Sequence, residues 1–446
     1  MQVAAQSMIL CLLWAISAAA AHAEDFRGDI DTVRQFLDRD ASYSPNERAQ
    51  AESEFAKLRA SASDMSRAAF QLAVAHIAAL TRNGHTMLLP GLWPHQFNRT
   101  PLHYCLFADG LFVIRTPKAM HDLLGARVLS IDGRNVEALR QTFTQYFGGR
   151  AGKRDEWIGF LIESPALLHA AGAGRFEDRV ELQVELADGS RVTRTLRGVL
   201  DPPQASPFEF LQTSRLIAHA SENIISAGAV PLYLADIDRA FRIAALPEYD
   251  GQFVQLRSNV SLGEEKIDAF LSSASSILQR AKPRNLIVDL RFDGGGDLNT
   301  TRAFFEMLPT LPPSDGRIFA LTSGRTFSAG IASLGYLKQA GGVRVTIVGE
   351  SIGDELEFWA EGEVLQLPVS KAALLYATER HNYVTGCPEP DCHRAVRENP
   401  IRVKTLEPDI VTPLTYADYR AGRDPALERV RTEVTRIRSS DRSLDL

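Results

Sequence analysis

"NLIVDLRFDGGGD", residues 285–297, joins an apolar run of strand length to a turn of three consecutive glycines. On both sides of this stretch, strand patterns alternate with helix patterns. "GQFVQLRS" (251–258) and "IFALTS" (318–323) have strand character, and helical periodicity lies between them over about 264–280 and from about 300. Continuous apolar strands separated by helices are typical of a parallel sheet that is buried on both faces. The stretch therefore predicts an α/β core with a mostly parallel sheet.

Two strand ends in this region carry residues that suit catalysis. Chemistry in such sheets is usually assembled where a strand ends in a glycine turn or a helix start. Glycines 294–296 free the backbone to turn N–H groups toward an oxygen. "GRTFSAG" (324–330) places Ser328 near a helix N-terminus, which favours a developing negative charge. Together these are the parts of an oxyanion hole, although a packing turn and a helix-capping serine explain either one alone.

The chain before the core begins with a predicted helical region, residues 24–95. "SPNE" (44–47) has the pattern of a capping box with proline in the first helical turn. A further helix over about 63–81 is apolar nearly all round, which predicts that it is buried. Asn83-Gly84 ends the helical pattern, so His85 is expected in a turn rather than in regular structure.

Residues 96–202 predict a small β-rich domain. "DGLFVIRTP" (109–117) and "ARVLSIDG" (126–133) read as short strands, and alternation on both sides of Asp188-Gly189 predicts a hairpin. "DPPQASP" (201–207) predicts a linker, and residues 203–446 then form the α/β core.

The first 23 residues, "MQVAAQSMILCLLWAISAAAAHA", contain no charged side chain, an apolar stretch over about 8–20 and Ala-His-Ala at the end. This architecture resembles a secretory signal peptide, and its apolar stretch is shorter than the about 20 residues that span a membrane. The sequence therefore predicts an exported protein, periplasmic or secreted, with no membrane anchor after cleavage.

The composition limits the partners. The formal net charge is −6 and no lysine or arginine run occurs, so the sequence offers no electrostatic footprint for nucleic acid or an anionic membrane. Small molecules, peptides or proteins are the expected partners, and a homo-oligomer is left open.

The cysteines and acidic residues predict a disulfide and no metal or cofactor. "CPEPDC" suits a disulfide between Cys387 and Cys392 in an oxidising compartment. The same pair with His393 supplies too few ligands at poor spacing for structural zinc. Asp293 and Asp297 flank glycines and lack the further oxygen ligands of a calcium or magnesium loop.

A series of motifs resembles the C-terminal processing (tail-specific) serine peptidase family. The series is "NLIVDLRFDGGGD", "LTSGRTFSAG" (321–330), "VTIVGESIGD" (345–354) and "LEPDIVTPLTYADYRAGRDPALERV" (406–430). "LLGARVLSIDG" (123–133) resembles the second half of a PDZ module. The resemblance implies a core related to crotonase and Clp protease, preceded by a degenerate PDZ-like domain.

The same resemblance implies roles for particular residues. Ser328 is the expected nucleophile, and the amides of Ala329 and of Gly294 or Gly295 would hold the oxyanion. Many family members carry a lysine base where this sequence has Asp354. Because no lysine occurs between Lys338 and Lys371, a Ser-Lys dyad is not expected here.

A histidine replaces the lysine in the tricorn-like branch, whose base lies in a "DGHT"-like motif. "NGHT" (83–86) matches it except at the first residue, so His85 is the expected base, with His381 as a second choice. An imidazole can remove a serine proton near neutral pH and needs an acid to hold its tautomer. Asp354, Glu350 and Glu357 are the alternatives for that acid.

These inferences favour an exported serine peptidase that acts on flexible polypeptides or peptides through an acyl-enzyme on Ser328. A catalytically inactive relative that binds a peptide or an apolar ligand is the main alternative, because the lysine is missing and Asn83 departs from the motif. An acyl-CoA enzyme of the crotonase fold fits less well with export.

Overall fold

The computed structural model describes residues 24–200, 222–223, 230–236 and 239–444. The predicted signal peptide (1–23) and the predicted linker (201–207) lie outside these residues. Among the helices that are described, none combines the length and the apolar character needed to cross a membrane.

The N-terminal region is helical, as predicted. It contains α1 (Arg27–Arg39), α2 (Pro45–Ser61) and α3 (Arg67–Ala79). The predicted capping box is confirmed, because Ser44 and Glu47 each accept the other's backbone N–H. Helix α3 is buried along most of its length and leads through the turn that contains His85 into the short strand β1 (Met87–Leu88).

A seven-stranded antiparallel sheet follows, in the order β2-β3-β4-β6-β7, with β5 beside β4 and β8 beside β3. Its strands are β2 (His103–Phe107), β3 (Gly110–Thr116), β4 (Arg127–Ile131), β5 (Arg134–Asn135), β6 (Arg179–Glu185), β7 (Arg191–Arg197) and β8 (Glu222–Asn223). The predicted hairpin is confirmed as β6–β7, with Gly189 at φ +82° in its turn.

Three helices connect β5 to β6: α4 (Val136–Phe143), α5 (Ala151–Ile162) and α6 (Pro165–Ala170). They share one hydrophobic core with helices α1–α3 and the inner face of the antiparallel sheet. The first half of the described chain is therefore a single packed unit.

The second half is built on a six-stranded sheet in the order β18-β13-β12-β11-β10-β9. The strands are β9 (Phe241–Leu246), β10 (Gly251–Leu256), β11 (Asn285–Asp289), β12 (Arg317–Thr322), β13 (Val345–Gly349) and β18 (Ile410–Val411). All neighbouring pairs are parallel except β9–β10. The mostly parallel α/β core predicted from residues 285–297 is confirmed, and all five residues of β11 are buried.

Helices cover both faces of this sheet. Helices α7 (Ile267–Ala281), α8 (Leu298–Met307) and α9 (Ala329–Gly341) pack on one face, and α12 (Pro425–Leu444) packs on the other. Adjacent residues of β11 point to opposite sides, since Leu286 and Val288 join the first core and Ile287 joins the second. Two short helices, α10 (Arg394–Glu398) and α11 (Tyr416–Ala421), lie in the chain before α12.

Two small sheets complete the fold, and one of them connects the halves. Strands β14 (Glu357–Ala360) and β17 (Glu379–Asn382) pair with each other, and β16 (Ala373–Leu375) pairs with both β15 (Val364–Gln366) and β1. Strand β1 thereby adds to strands that belong to the second half. This pairing fixes the turn of His85 next to the end of the parallel sheet.

Candidate active site

Ser328 lies between β12 and α9 in a strained backbone conformation. Its φ is +54° and its ψ is −126°, and its side chain makes no hydrogen bond to cap the helix. A non-glycine residue in a sparsely populated conformation costs about 1–3 kcal/mol, and such residues cluster at functional sites. The capping explanation therefore does not account for this half-buried serine.

The glycine turn touches Ser328 directly. Gly295 has φ +102°, and a Cβ added there would lie 2.6 Å from Ser328 Cβ. The Gly295 N–H donates to Asp293 Oδ1 at 3.0 Å. Within the part of the chain that the structure describes, the N–H groups of Gly294 and Ala329 donate to no acceptor. These two amides are therefore available to an incoming oxygen.

Asn259, which the sequence analysis did not identify, ties the two turns together. Its backbone N–H donates to Gly295 O at 2.8 Å, and its buried side chain donates to Ala329 O at 3.1 Å. The side chain also contacts Thr301 and Ser333. In sequence, an asparagine shortly after a strand looks like an ordinary loop residue, so only the fold shows this role.

Asp293 is fully buried under the glycine turn. Burial raises its pKa to about 8, against the opposing effect of the hydrogen bond from Gly295. Its Oδ2 atom has no hydrogen-bond partner among the described residues. Burial therefore favours the protonated form of this side chain more than in an exposed aspartate.

His85 lies in the turn after α3, as predicted, and its ring is held between two phenylalanines. The ring centroids are 4.3 Å from Phe327 and 5.0 Å from Phe358, with interplanar angles of 22° and 8°. Phe327 directly precedes Ser328, so the stacking brings the histidine to the serine's turn. His85 Nδ1 is 3.5 Å from Asp354 Oδ2, which leaves Nε2 to face away from the carboxylate.

Of the three predicted acids, Asp354 is the one that contacts His85. It is buried in the turn after β13, and its two oxygens accept the N–H groups of Gly84 (3.2 Å) and of the next residue (3.0 Å). Glu350 accepts a backbone N–H from the segment after β18, and burial raises its pKa. Glu357 contacts an arginine and an asparagine of β17.

Asn83, the residue that departs from the "DGHT" pattern, anchors the histidine turn. Its amide pairs with the backbone of Trp359 in β14, donating to Trp359 O (2.9 Å) and accepting from Trp359 N (3.1 Å). An aspartate can accept but cannot donate in this pair when it is ionised. The change from aspartate to asparagine therefore fits the local structure of this chain.

A lysine also reaches the site, from a place that sequence reasoning missed. Lys153 on α5 is 7% exposed, and its Nζ lies 4.2 Å from the ring centroid of Phe327. The same Nζ is 3.5 Å from Glu156 Oε2. Lys153 thus lies between a carboxylate and an aromatic face.

A cavity of about 310 Å³ opens beside Gly294 and Phe327. Most of its wall is apolar and comes from Met87, from residues 89–92, from Trp157 on α5 and from neighbouring side chains. A pocket of this kind suits an apolar group of a ligand.

The predicted cysteine pair follows β17 in the chain. Cys387 and Cys392 are joined by a disulfide in the structure, with a Cα–Cα distance of 5.7 Å.

Comparison with solved structures identifies the fold. Mature CPAF complexed with lactacystin superimposes with a TM-score of 0.58 at 12% identity, over 92% of this chain and 97% of that one. Mature CPAF solved separately gives 0.55 at 13% identity, over 94% and 98%. The photosystem II D1 C-terminal processing protease aligns over 90% and 98% at 14% identity, with a TM-score of 0.36. No family model and no curated protein sequence matches the chain.

The class of fold is thus a mixed α/β architecture with several sheets, and it is the fold of mature CPAF over nearly the whole length of both chains.

Proposed function

We propose that the protein is a serine peptidase of the C-terminal processing type, in its tricorn-like branch. It would hydrolyse flexible polypeptides or peptides through an acyl-enzyme on Ser328. The observation that carries the proposal is the packing of the strained Ser328 on Gly295, beside the N–H groups of Gly294 and Ala329, which have no acceptor among the described residues. The fold shared with CPAF supports it.

In the acylation step, Ser328 Oγ attacks the carbonyl carbon of the scissile bond while His85 Nε2 takes the hydroxyl proton. The carbonyl electron pair moves to the oxygen, where the N–H groups of Gly294 and Ala329 stabilise it. Asp354 holds the His85 Nδ1–H and stabilises the imidazolium. When the intermediate collapses, the C–N bond breaks and the leaving amine takes the proton from His85.

Deacylation repeats the sequence with water as the nucleophile. His85 takes a proton from the water, the hydroxide adds to the ester carbonyl, and Ser328 leaves with the proton that His85 returns. Because burial raises the pKa of Asp293, its carboxyl would oppose the oxyanion less than an exposed aspartate would in either step.

The cavity beside the nucleophile indicates the substrate side chain. Its apolar wall would accept an aliphatic or aromatic residue next to the scissile bond, and Lys153 at its edge would disfavour a basic one.

The remaining assignments form part of the same proposal. Residues 203–446 would be the crotonase and Clp-protease-like core, 96–202 the degenerate PDZ-like domain, and 24–95 the helical region that carries the base. Residues 1–23 would direct export and then be cleaved, which would place the protein in a periplasmic or extracellular location. Such an oxidising location suits the Cys387–Cys392 disulfide.

A non-catalytic binding protein is the second candidate. The observation in its favour is that neither ring nitrogen of His85 has a hydrogen-bond partner among the described residues, with Asp354 at 3.5 Å. Catalytic hydrogen bonds are often long before substrate binds, so this distance does not decide between the two.

A fluorophosphonate probe decides between them. We expect the purified protein to be labelled on Ser328 and to cleave an unfolded polypeptide, and Ser328→Ala to lose both. Ser351→Ala is the matched control, because Ser351 lies in a nearby turn and contacts Glu407 instead. Absence of labelling in well-folded protein would reject the peptidase in favour of the binding protein.

A further inference from the structure

A column of stacked rings leads from the candidate active site to a second cluster of polar side chains. Successive ring centroids are 4.3, 5.0, 4.9 and 5.4 Å apart, and the interplanar angles do not exceed 22°. In order, the rings belong to Phe327, His85, Phe358, His381 and His393. At the far end, His381 and His393 meet Glu361, and the atoms of these three that could bind a metal all lie within 4.8 Å of one another.

His381 is prepared as a ligand. It is 2% exposed, so its ring is held inside the protein. Its Nδ1 lies 3.1 Å from the hydroxyl oxygen of the buried Tyr383. When Nδ1–H donates to that oxygen, the lone pair of Nε2 points toward Glu361. A metal-bound histidine usually donates its second ring N–H in this way.

Hydrogen bonding around the cluster is incomplete within the part of the chain that the structure describes. Among the described residues, His381 Nε2, His393 Nδ1 and Glu379 Oε2 are buried atoms without a hydrogen-bond partner. His381 Nε2 is 3.3 Å from Glu361 Oε1, and His393 Nε2 is 3.8 Å from Glu379 Oε2. Buried polar atoms without partners are uncommon in native proteins, and a bound ion can satisfy such atoms.

The surrounding backbone holds the two histidines together. His381 belongs to β17, and the His393 N–H donates to Arg380 O at 3.0 Å. The Arg380 N–H in turn donates to Asp391 O at 2.9 Å, and the Cys387–Cys392 disulfide closes the loop that ends at His393. Glu361 has φ +58°, an uncommon conformation for a non-glycine residue.

We propose that Glu361, His381 and His393 form a zinc site, with Glu379 at its edge. Two ligands at about 2.0–2.2 Å from a tetrahedral zinc ion lie about 3.3 Å apart, which is the observed separation of His381 Nε2 and Glu361 Oε1. Two imidazoles and a carboxylate suit zinc better than calcium or magnesium, which prefer all-oxygen sites. The exposed side of Glu361 leaves a route for the ion and a fourth position for water.

The proposed zinc site departs from the sequence prediction of no metal. The sequence analysis counted His393 with the two cysteines and found too few ligands. In the structure the cysteines are bonded to each other, and β17 and the segment after β14 supply the other ligands instead. The site does not depend on whether Ser328 is catalytic.

The test is isothermal titration of Zn²⁺ into the untagged, oxidised protein. We expect one site with a Kd in the micromolar range or tighter, and the visible spectrum of tetrahedral cobalt when Co²⁺ is added. Glu361→Gln and His393→Gln should each weaken zinc binding at least tenfold. These two side chains are exposed or half-buried, so both variants should fold. Substitution of the buried His381 would disturb the fold more, so it is not used in the test.

His169→Gln is the matched control. Like the histidines of the proposed site, His169 lies near a glutamate oxygen, at 3.9 Å, but its side chain is exposed on α6. It should bind zinc like the unmodified protein. Three results overturn the proposal: no heat of binding, equal affinity in the Glu361 and His393 variants, or binding that appears only after reduction. The last result would place the ion on Cys387, Glu389 and Cys392, whose ligand atoms also lie within 4.8 Å of one another.

Discussion

Replacing Gly295 by alanine should disable the nucleophile through a steric effect that the structure defines. The added Cβ would lie 2.6 Å from Ser328 Cβ, 2.9 Å from Ala329 N and 3.0 Å from Phe327 O. All three distances are shorter than an ordinary van der Waals contact of 3.4–4 Å. The shortfall against Ser328 is about 1 Å. Displacing a reacting group by that distance costs on the order of a hundredfold in rate.

Stability should also fall. Alanine at φ +102° costs about 1–3 kcal/mol, and an overpacked methyl group costs a further about 1–3 kcal/mol. Gly189→Ala separates the two effects, because Gly189 has φ +82° and nothing within 4 Å of its added Cβ. That control should lose stability from backbone strain alone and should keep its activity.

The assay compares kcat/KM on an unfolded polypeptide and the rate of fluorophosphonate labelling, at a temperature where urea unfolding shows both variants to be folded. We expect Gly295→Ala to lose about a hundredfold or more in both, and Gly189→Ala to match the unmodified protein. Labelling of folded Gly295→Ala at the normal rate would refute the arrangement of the glycine turn against Ser328.

Three further predictions concern the base, the buried acid and the disulfide. His85→Gln should lose on the order of a thousandfold in kcat/KM while Lys153→Met changes it little, and the reverse order would make the lysine the base. The folded-state pKa of Asp293 is raised to about 8 from its ordinary value of 3.8. Its contribution to the free energy of unfolding is therefore complete below pH 3.8, falls as the pH rises between these two values and is lost above about 8. Urea unfolding should show that Asp293→Asn removes a slope of up to about 1.4 kcal/mol per pH unit in this window, and an unchanged slope would place the titration elsewhere. Without reductant, Cys387 and Cys392 should resist alkylation in mass spectrometry, and recovery of both as free thiols would contradict the disulfide.

Much of the core could be predicted because its signals are local. The continuous apolar residues of β11 favour burial whatever the fold around them. Three consecutive glycines after a strand predict a tight turn. The helix start at Ser44 and the turn at Gly189 follow from the conformational preferences of those residues. Such features depend on neighbours in sequence, so sequence reasoning reaches them.

The site depends on neighbours in space, and there the sequence was less informative. It proposed Asp354, Glu350 and Glu357 equally, because nothing local distinguishes one carboxylate from another. The choice of Asp354 rests on the contact with His85 across the two halves of the chain. Asn259 was missed for the same reason, since its four contacts come from three separate segments.

The pairing of β1 with β16 has a consequence for the order of events during synthesis. His85 belongs to the first half of the chain, whereas Ser328 and the glycine turn belong to the second, and the parallel sheet closes only with β18. A ribosome delivers His85 early and Ser328 late. Under the proposed function, a nascent or truncated chain would therefore carry an incomplete set of catalytic groups, so any hydrolysis would begin only after both halves of the chain have folded.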